Sequence, residues 1–125
     1  MDATEINGGR FYARPLHNDD RIDDAPALSN TTSDFDITTA TAGWQADQAY
    51  TWAVCEQTRV EMIAFAHLDV ASGVLEIYPV GDPACVLPND PDVETKTIGD
   101  AVAEIREPIL RWCHASGVNV TTSGT

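Results

Sequence analysis

The chain has 125 residues, a formal net charge of −13 and a hydrophobic content of 43%. That length fits one domain able to bury roughly two-thirds of the surface its unfolded form exposes, and no run of about 18 apolar residues marks a membrane span. Seven Lys and Arg stand against twenty Asp and Glu, so there is no basic patch for phosphates, which argues against nucleic acid as a direct partner.

Residues 1–9 form a polar lead-in that lacks the charged-then-apolar layout of a secretory signal, so an intracellular or virion location is expected. Arg10 to Leu16 (RFYARPL) predicts a first strand, at an edge because Pro15 has no N–H to donate to a ladder. The turn-rich segment from His17 to Asp34 holds Asp23-Asp24, which can open a short helix over Ala25 to Leu28 with Pro26 in its first turn. From Phe35 to Tyr50 the apolar residues are sparse and mostly aromatic. This reads as irregular chain, with at most a short helix over Trp44 to Ala49.

The densest apolar stretch is Thr51 to Val80, which predicts a three-strand antiparallel meander. Val60, Met62, Ala64, Ala66 and Leu68 recur at period two on one face of its middle strand, and Ile63 and Phe65 occupy the other. The separators QTR and ASG are short enough for hairpins, with Gly73 able to take a positive φ at the second. A proline-rich loop spans 81–96, long enough to be functional or mobile. A helix follows from Thr97 to about Ala115, with Ile98, Ala101, Val102, Ile105, Ile109, Trp112 and Cys113 on one face. Thr97 and Asp100 resemble a capping box, and Gly117 suits a left-handed C-cap. Pro108 should kink this helix or split it after Glu107. Val118 to Thr122 predicts a last strand. The fold class is therefore α+β: a small antiparallel sheet, the meander 51–80 plus edge strands, packed against one long kinked C-terminal helix in a single domain 1–125.

The charge also predicts a salt-adapted, halophilic source, because screening ions relieve the self-repulsion of such a surface. The alternative is an ordinary acidic protein from a GC-rich bacterium or phage. Cys55, Cys85 and Cys113 have no metal-binding spacing, and Cys55 and Cys113 read as buried reduced thiols.

Chemistry-bearing residues are few. His17, His67 and His114 are scattered, and His114 beside Cys113 points elsewhere on a helix, so no zinc site is expected. No Ser or Cys lies in a nucleophile elbow. Asn18, Asp19, Asp20, Asp23 and Asp24 form one acidic cluster, and Asp90, Asp92 and Glu94 another. Alternating carboxylates suit Ca²⁺ or Mg²⁺, but neither has EF-hand spacing, and solvated surface is the expected reading. Trp44, Trp52 and Trp112 read as core.

The helix start Lys96-Thr97-Ile98-Gly99-Asp100-Ala101 presents free amides and a helix dipole, which suit an anion. Here the chain resembles the GNAT acyltransferase family, whose (Gln/Arg)-x-x-Gly-x-(Gly/Ala) turn after the fourth strand holds the pyrophosphate of acetyl-CoA. Lys96, Gly99 and Ala101 match, with Lys in the first position. The order of elements is also similar over nearly the whole chain, which corresponds to about the first half of a GNAT domain. The resemblance implies acetyl-CoA as cofactor and Glu76, on the third meander strand, as catalytic base. The longer loop before the turn and the charge of Asp100 depart from the pattern. An ordinary helix start is the alternative.

Two functions follow. The first is a non-enzymatic structural or assembly protein, a small subunit of a larger homo- or hetero-oligomeric complex, including virion components such as connector and tail-completion proteins. The second is a reduced GNAT-like N-acyltransferase or acetyl-CoA-binding module. An open helix start at Gly99 favours the second, and one covered by the 81–96 loop favours the first.

Overall fold

The computed structural model describes residues 3–17, 19, 21–33, 36–57, 59–87, 94–120 and 122–123. The elements run β1 (Ile6–Asn7), β2 (Phe11–Arg14), α1 (Ala25–Ser29), α2 (Ile37–Gln45), β3 (Ala49–Glu56), β4 (Ala64–Asp69), β5 (Val74–Pro79), α3 (Ile98–Ala115) and β6 (Thr122–Ser123). They form one sheet in the order β1-β2-β3-β4-β5-β6. Neighbours are antiparallel except β5 and β6, which run parallel. The α+β class and the 51–80 meander are both observed.

All eight residues of β3 are buried, as expected of a strand covered on both faces. On one face Trp52, Val54, Ala64, Ala66, Leu68, Leu75 and Ile77 meet Ala101, Ile105, Ile109 and Cys113 of α3. On the other, Ala53, Cys55 and Phe65 meet Leu28 of α1. Gly73 takes φ 73° in the β4–β5 turn, the left-handed conformation that glycine adopts without steric cost.

Several elements differ from the sequence pattern. β2 is an interior strand, because β1 pairs with its outer edge; Pro15 ends the strand instead of marking an edge. Met62 packs with Ala53 and Phe65, opposite the face that holds Ala64, Ala66 and Leu68, and Val60 is 59% exposed. The cause is an irregularity ahead of β4. The Ile63 N–H bonds the Val54 carbonyl at 2.8 Å, while the ladder partner of Val54 is Ala64. Two residues therefore oppose one, as in a β-bulge, and the alternation shifts face. α2 is a nine-residue helix beginning at Ile37, where irregular chain is expected. Asp36 caps it by accepting from the Thr39 N–H at 2.7 Å.

α3 runs unbroken through Pro108. The proline ring is buried, and a Cβ added at Gly8 would lie 3.1 Å from Pro108 Cγ, so the lead-in closes over the proline. Thr97 and Asp100 form the expected capping box. At the other end Gly117 has φ 74°, and the Val118 and Gly117 N–H groups bond the Cys113 and His114 carbonyls. This is the Schellman pattern. The last strand is shorter and later than the 118–122 expected. No helix among the described residues is long and apolar enough to cross a membrane.

Candidate functional site

The first turn of α3 is where the sequence concentrates its anion-binding signal, and its amides are all used within the chain. The Thr97 N–H donates to the Asp100 carboxylate at 2.8 Å, and the Asp100 N–H donates to Thr97 Oγ1 at 3.1 Å. The Ile98 N–H donates to the Cys85 carbonyl at 3.0 Å, and the Gly99 N–H to the Pro83 carbonyl at 2.8 Å. The segment 83–87 is held there by a bridge between Val86 and Thr97 and by the Leu87 N–H on the Lys96 carbonyl at 2.8 Å. A Cβ at Gly99 would lie 3.2 Å from the Pro83 oxygen. Glycine here thus admits the chain's own carbonyl, in the position where a phosphate oxygen would accept the same hydrogen bond.

The charges around this turn follow the same pattern. Lys96 Nζ lies 2.8 Å from Glu104 and 3.7 Å from Glu94, and the Glu104 hydrogen bond chiefly raises its pKa. Hydrogen bonds from Thr97 hold the Asp100 carboxyl below the usual carboxylate range, so a negative charge stays at the helix start. Ala101 is fully buried in the core. Lys96, Gly99 and Ala101 are therefore brought together in one turn, with the segment 83–87 closed over it.

Glu76 lies on the other side of the sheet. Leu75 and Ile77 join the α3-side core, so strand alternation turns Glu76 and Tyr78 to the opposite face. There the Tyr78 hydroxyl donates to Glu76 Oε2, and Glu76 pairs across the ladder with His67. Burial pushes the half-buried His67 imidazole down in pKa, against the opposing pull of Asp69 and Glu76. The folded state therefore resists protonation of His67 more than the unfolded state does. Its contribution to stability is intact above the unfolded pKa of about 6.5 and declines as pH falls below it. In urea melts, His67→Gln should flatten the loss of stability from about pH 6.5 downward; an unchanged slope would show that other groups carry it.

The first acidic cluster separates into individual roles. Asp19 accepts from the Arg21 and Ile22 N–H groups, and Asp23 from the Ala25 N–H. Asp24 is only 2% exposed, a correction to the expectation of solvated surface. Its two oxygens each take a 2.8 Å hydrogen bond from Arg14, and Oδ2 also accepts the His17 N–H at 2.7 Å. Asn18 and Asp20, like Asp90 and Asp92 of the second cluster, lie outside the described residues. Glu94 is exposed and pairs with Lys96. No group of three metal-ligating side chains occurs among the described residues. Burial raises the thiol pKa values of Cys55 and Cys113 to about 11, which leaves both unreactive at neutral pH. Cys85 is exposed.

Sequence reasoning did not find the cavity between α2 and the start of β3. It has a volume of about 210 Å³ and is lined by Ala3, Pro15, Leu16, Ala40, Thr41, Trp44, Gln45 and Thr51. The only available signal was the Ala40, Gly43, Trp44 spacing of α2.

No protein-family model matches this chain, and no curated protein matches it. Among solved structures, the fold is similar to a chain described as a candidate ribosomal-protein-serine acetyltransferase from Vibrio cholerae, at 16% identity and a TM-score of 0.45. The similarity covers 63% of this chain and 55% of that one, so this chain spans about half the length of the structure it matches. The element order resembles part of a GNAT domain, and a likeness of this size carries no argument about activity.

Proposed function

We propose that this chain is a non-enzymatic assembly or interaction protein, a small subunit of a larger complex such as a virion, built on an α+β arrangement partly like that of GNAT domains. The observation that carries this reading is the closed first turn of α3. Its amides bond Pro83, Cys85, Thr97 and Asp100, and Asp100 adds a negative charge where pyrophosphate would need a positive one. An acidic surface of this density also suits a salt-screened setting or a basic protein partner.

Calorimetric titration with acetyl-CoA tests this reading, first in molar KCl and then at the lowest salt that keeps the fold. No saturable heat is expected. Micromolar binding that is lost in both Gly99→Glu and Lys96→Ala would overturn the reading in favour of an acetyl-CoA-binding module with Lys96, Gly99 and Ala101 at the cofactor and Glu76 as base. Sedimentation reads self-assembly: a mass above the 13.5 kDa of one chain supports a homo-oligomer, and a monomer moves the search to a partner of different sequence.

A further inference from the structure

β3 is eight residues long, but β2 covers only Ala53–Glu56 of it. The pairing stops at Arg14, ahead of Pro15. Backbone bonds from Val70 to Gln48 and from Gln57 to Arg10 set the alternation of β3, which turns the N–H and C=O of Thr51 toward the uncovered edge. α2 lies along that edge. Gly43 allows the close approach, since a Cβ there would come within 2.9 Å of the Ala49 carbonyl oxygen. The Trp44 indole N–H donates to the Thr51 carbonyl at 3.1 Å.

The notch left between these elements is the 210 Å³ cavity. Its walls include Pro15, Leu16, Ala40, Trp44 and Gln45, and no charged residue among those described lines it. Thr51 lines it too. Thr51 is 1% exposed, and its hydroxyl has no hydrogen-bond partner among the described residues. Buried hydroxyls are normally paired, because leaving one unpaired costs folding free energy. A site with an apolar wall and an unpaired hydroxyl accepts an uncharged molecule; an ion would lose its hydration with no countercharge to replace it.

We propose that this notch binds a small uncharged ligand with an apolar body and one hydroxyl or carboxamide group, the apolar part against Trp44 and the polar group on Thr51. The site is independent of the α3 turn and of the assembly reading. Its volume lies below the 300–1,000 Å³ range of drug-sized pockets, so the ligand is of fragment size.

Benzamide and toluene serve as probes in an amide-resolved NMR titration of the full chain. Benzamide should produce saturable shifts concentrated at Ala40, Thr41, Gln45 and Thr51. The near-isosteric Thr51→Val should weaken benzamide about fivefold, the effect of losing one neutral hydrogen bond, and leave toluene unchanged. Ala40→Leu should fill the notch and abolish both responses while the spectrum stays dispersed. Saturable shifts from neither probe, binding of toluene alone, or equal benzamide affinity in Thr51→Val would each overturn the proposal.

Discussion

Asp24→Ala is expected to lower folding stability by about 3–5 kcal/mol, because it leaves the Arg14 guanidinium charged, buried and without its counterion. Arg14 is 4% exposed. Besides its two bonds to Asp24, it donates to the Val60 carbonyl at 2.6 Å and to the Pro15 carbonyl at 3.1 Å. One ion pair thus ties the end of β2, the entry to α1 and the irregular turn before β4. Urea denaturation checks the size of the effect, read as a lower midpoint at constant slope. The double variant Arg14→Met, Asp24→Leu separates the pair's contribution from the penalty for orphaning one partner. It should lose clearly less than Asp24→Ala, since well-packed apolar residues often replace a buried pair at little cost. A loss in Asp24→Ala below about 1 kcal/mol, the range of surface pairs, would contradict the burial of this site.

Trp52→Ala should be comparably damaging, at about 3–5 kcal/mol. Trp52 is fully buried, and its ring lies 5.4 Å from Trp44 and 5.4 Å from Trp112, edge-on to both. Trp112 in turn lies 5.7 Å from Tyr50. Such edge-to-face pairs add about 0.5–1.5 kcal/mol each beyond the area they bury. The Trp52 indole N–H also donates to the Thr4 carbonyl at 2.9 Å. A single side chain therefore joins the lead-in, α2, the sheet and α3. Near-UV circular dichroism should lose most of its aromatic signal in this variant. A melt shifted by only a degree or two would show that the cavity collapses and that the ring cluster is dispensable.

The meander and α3 were legible because burial imposes a period on a sequence. Ala64, Ala66 and Leu68 alternate, and Ile98, Ala101, Ile105 and Ile109 follow the helical turn. α2 escaped notice because its sequence, ITTATAGWQ, buries only Ala40, Gly43 and Trp44, two of them too small to register as an apolar stripe. Its cap, Asp36, was readable but stood among many other acids. The period-two pattern puts Met62 on the face of Ala64, but the irregularity opposite Val54, which shows only in the pairing, turns it to the other face. The Arg14–Asp24 pair was hidden for another reason. The two residues stand ten apart on opposite sides of a turn-rich segment, and an acidic sequence offers many alternative partners. At the α3 turn, residue types predict free amides, and whether they stay free depends on how the loop before the helix closes. That is a tertiary property, and here carbonyls some fifteen residues upstream decide it.

The parallel pairing of β5 with β6 has a consequence for the order in which the protein assembles. β3, β4 and β5 are joined by short connections, so their pairings close small loops at low entropic cost and belong to the early phase of folding. β6 reaches its partner only across the length of α3, so it finds its register after that helix has docked. Until then the whole outer side of β5 is a bare edge, and β6 then pairs with only Val74 and Leu75 of it, so a strand from a neighbouring chain finds backbone groups to bond before and after β6 docks. High protein concentration therefore favours strand pairing between chains along this edge.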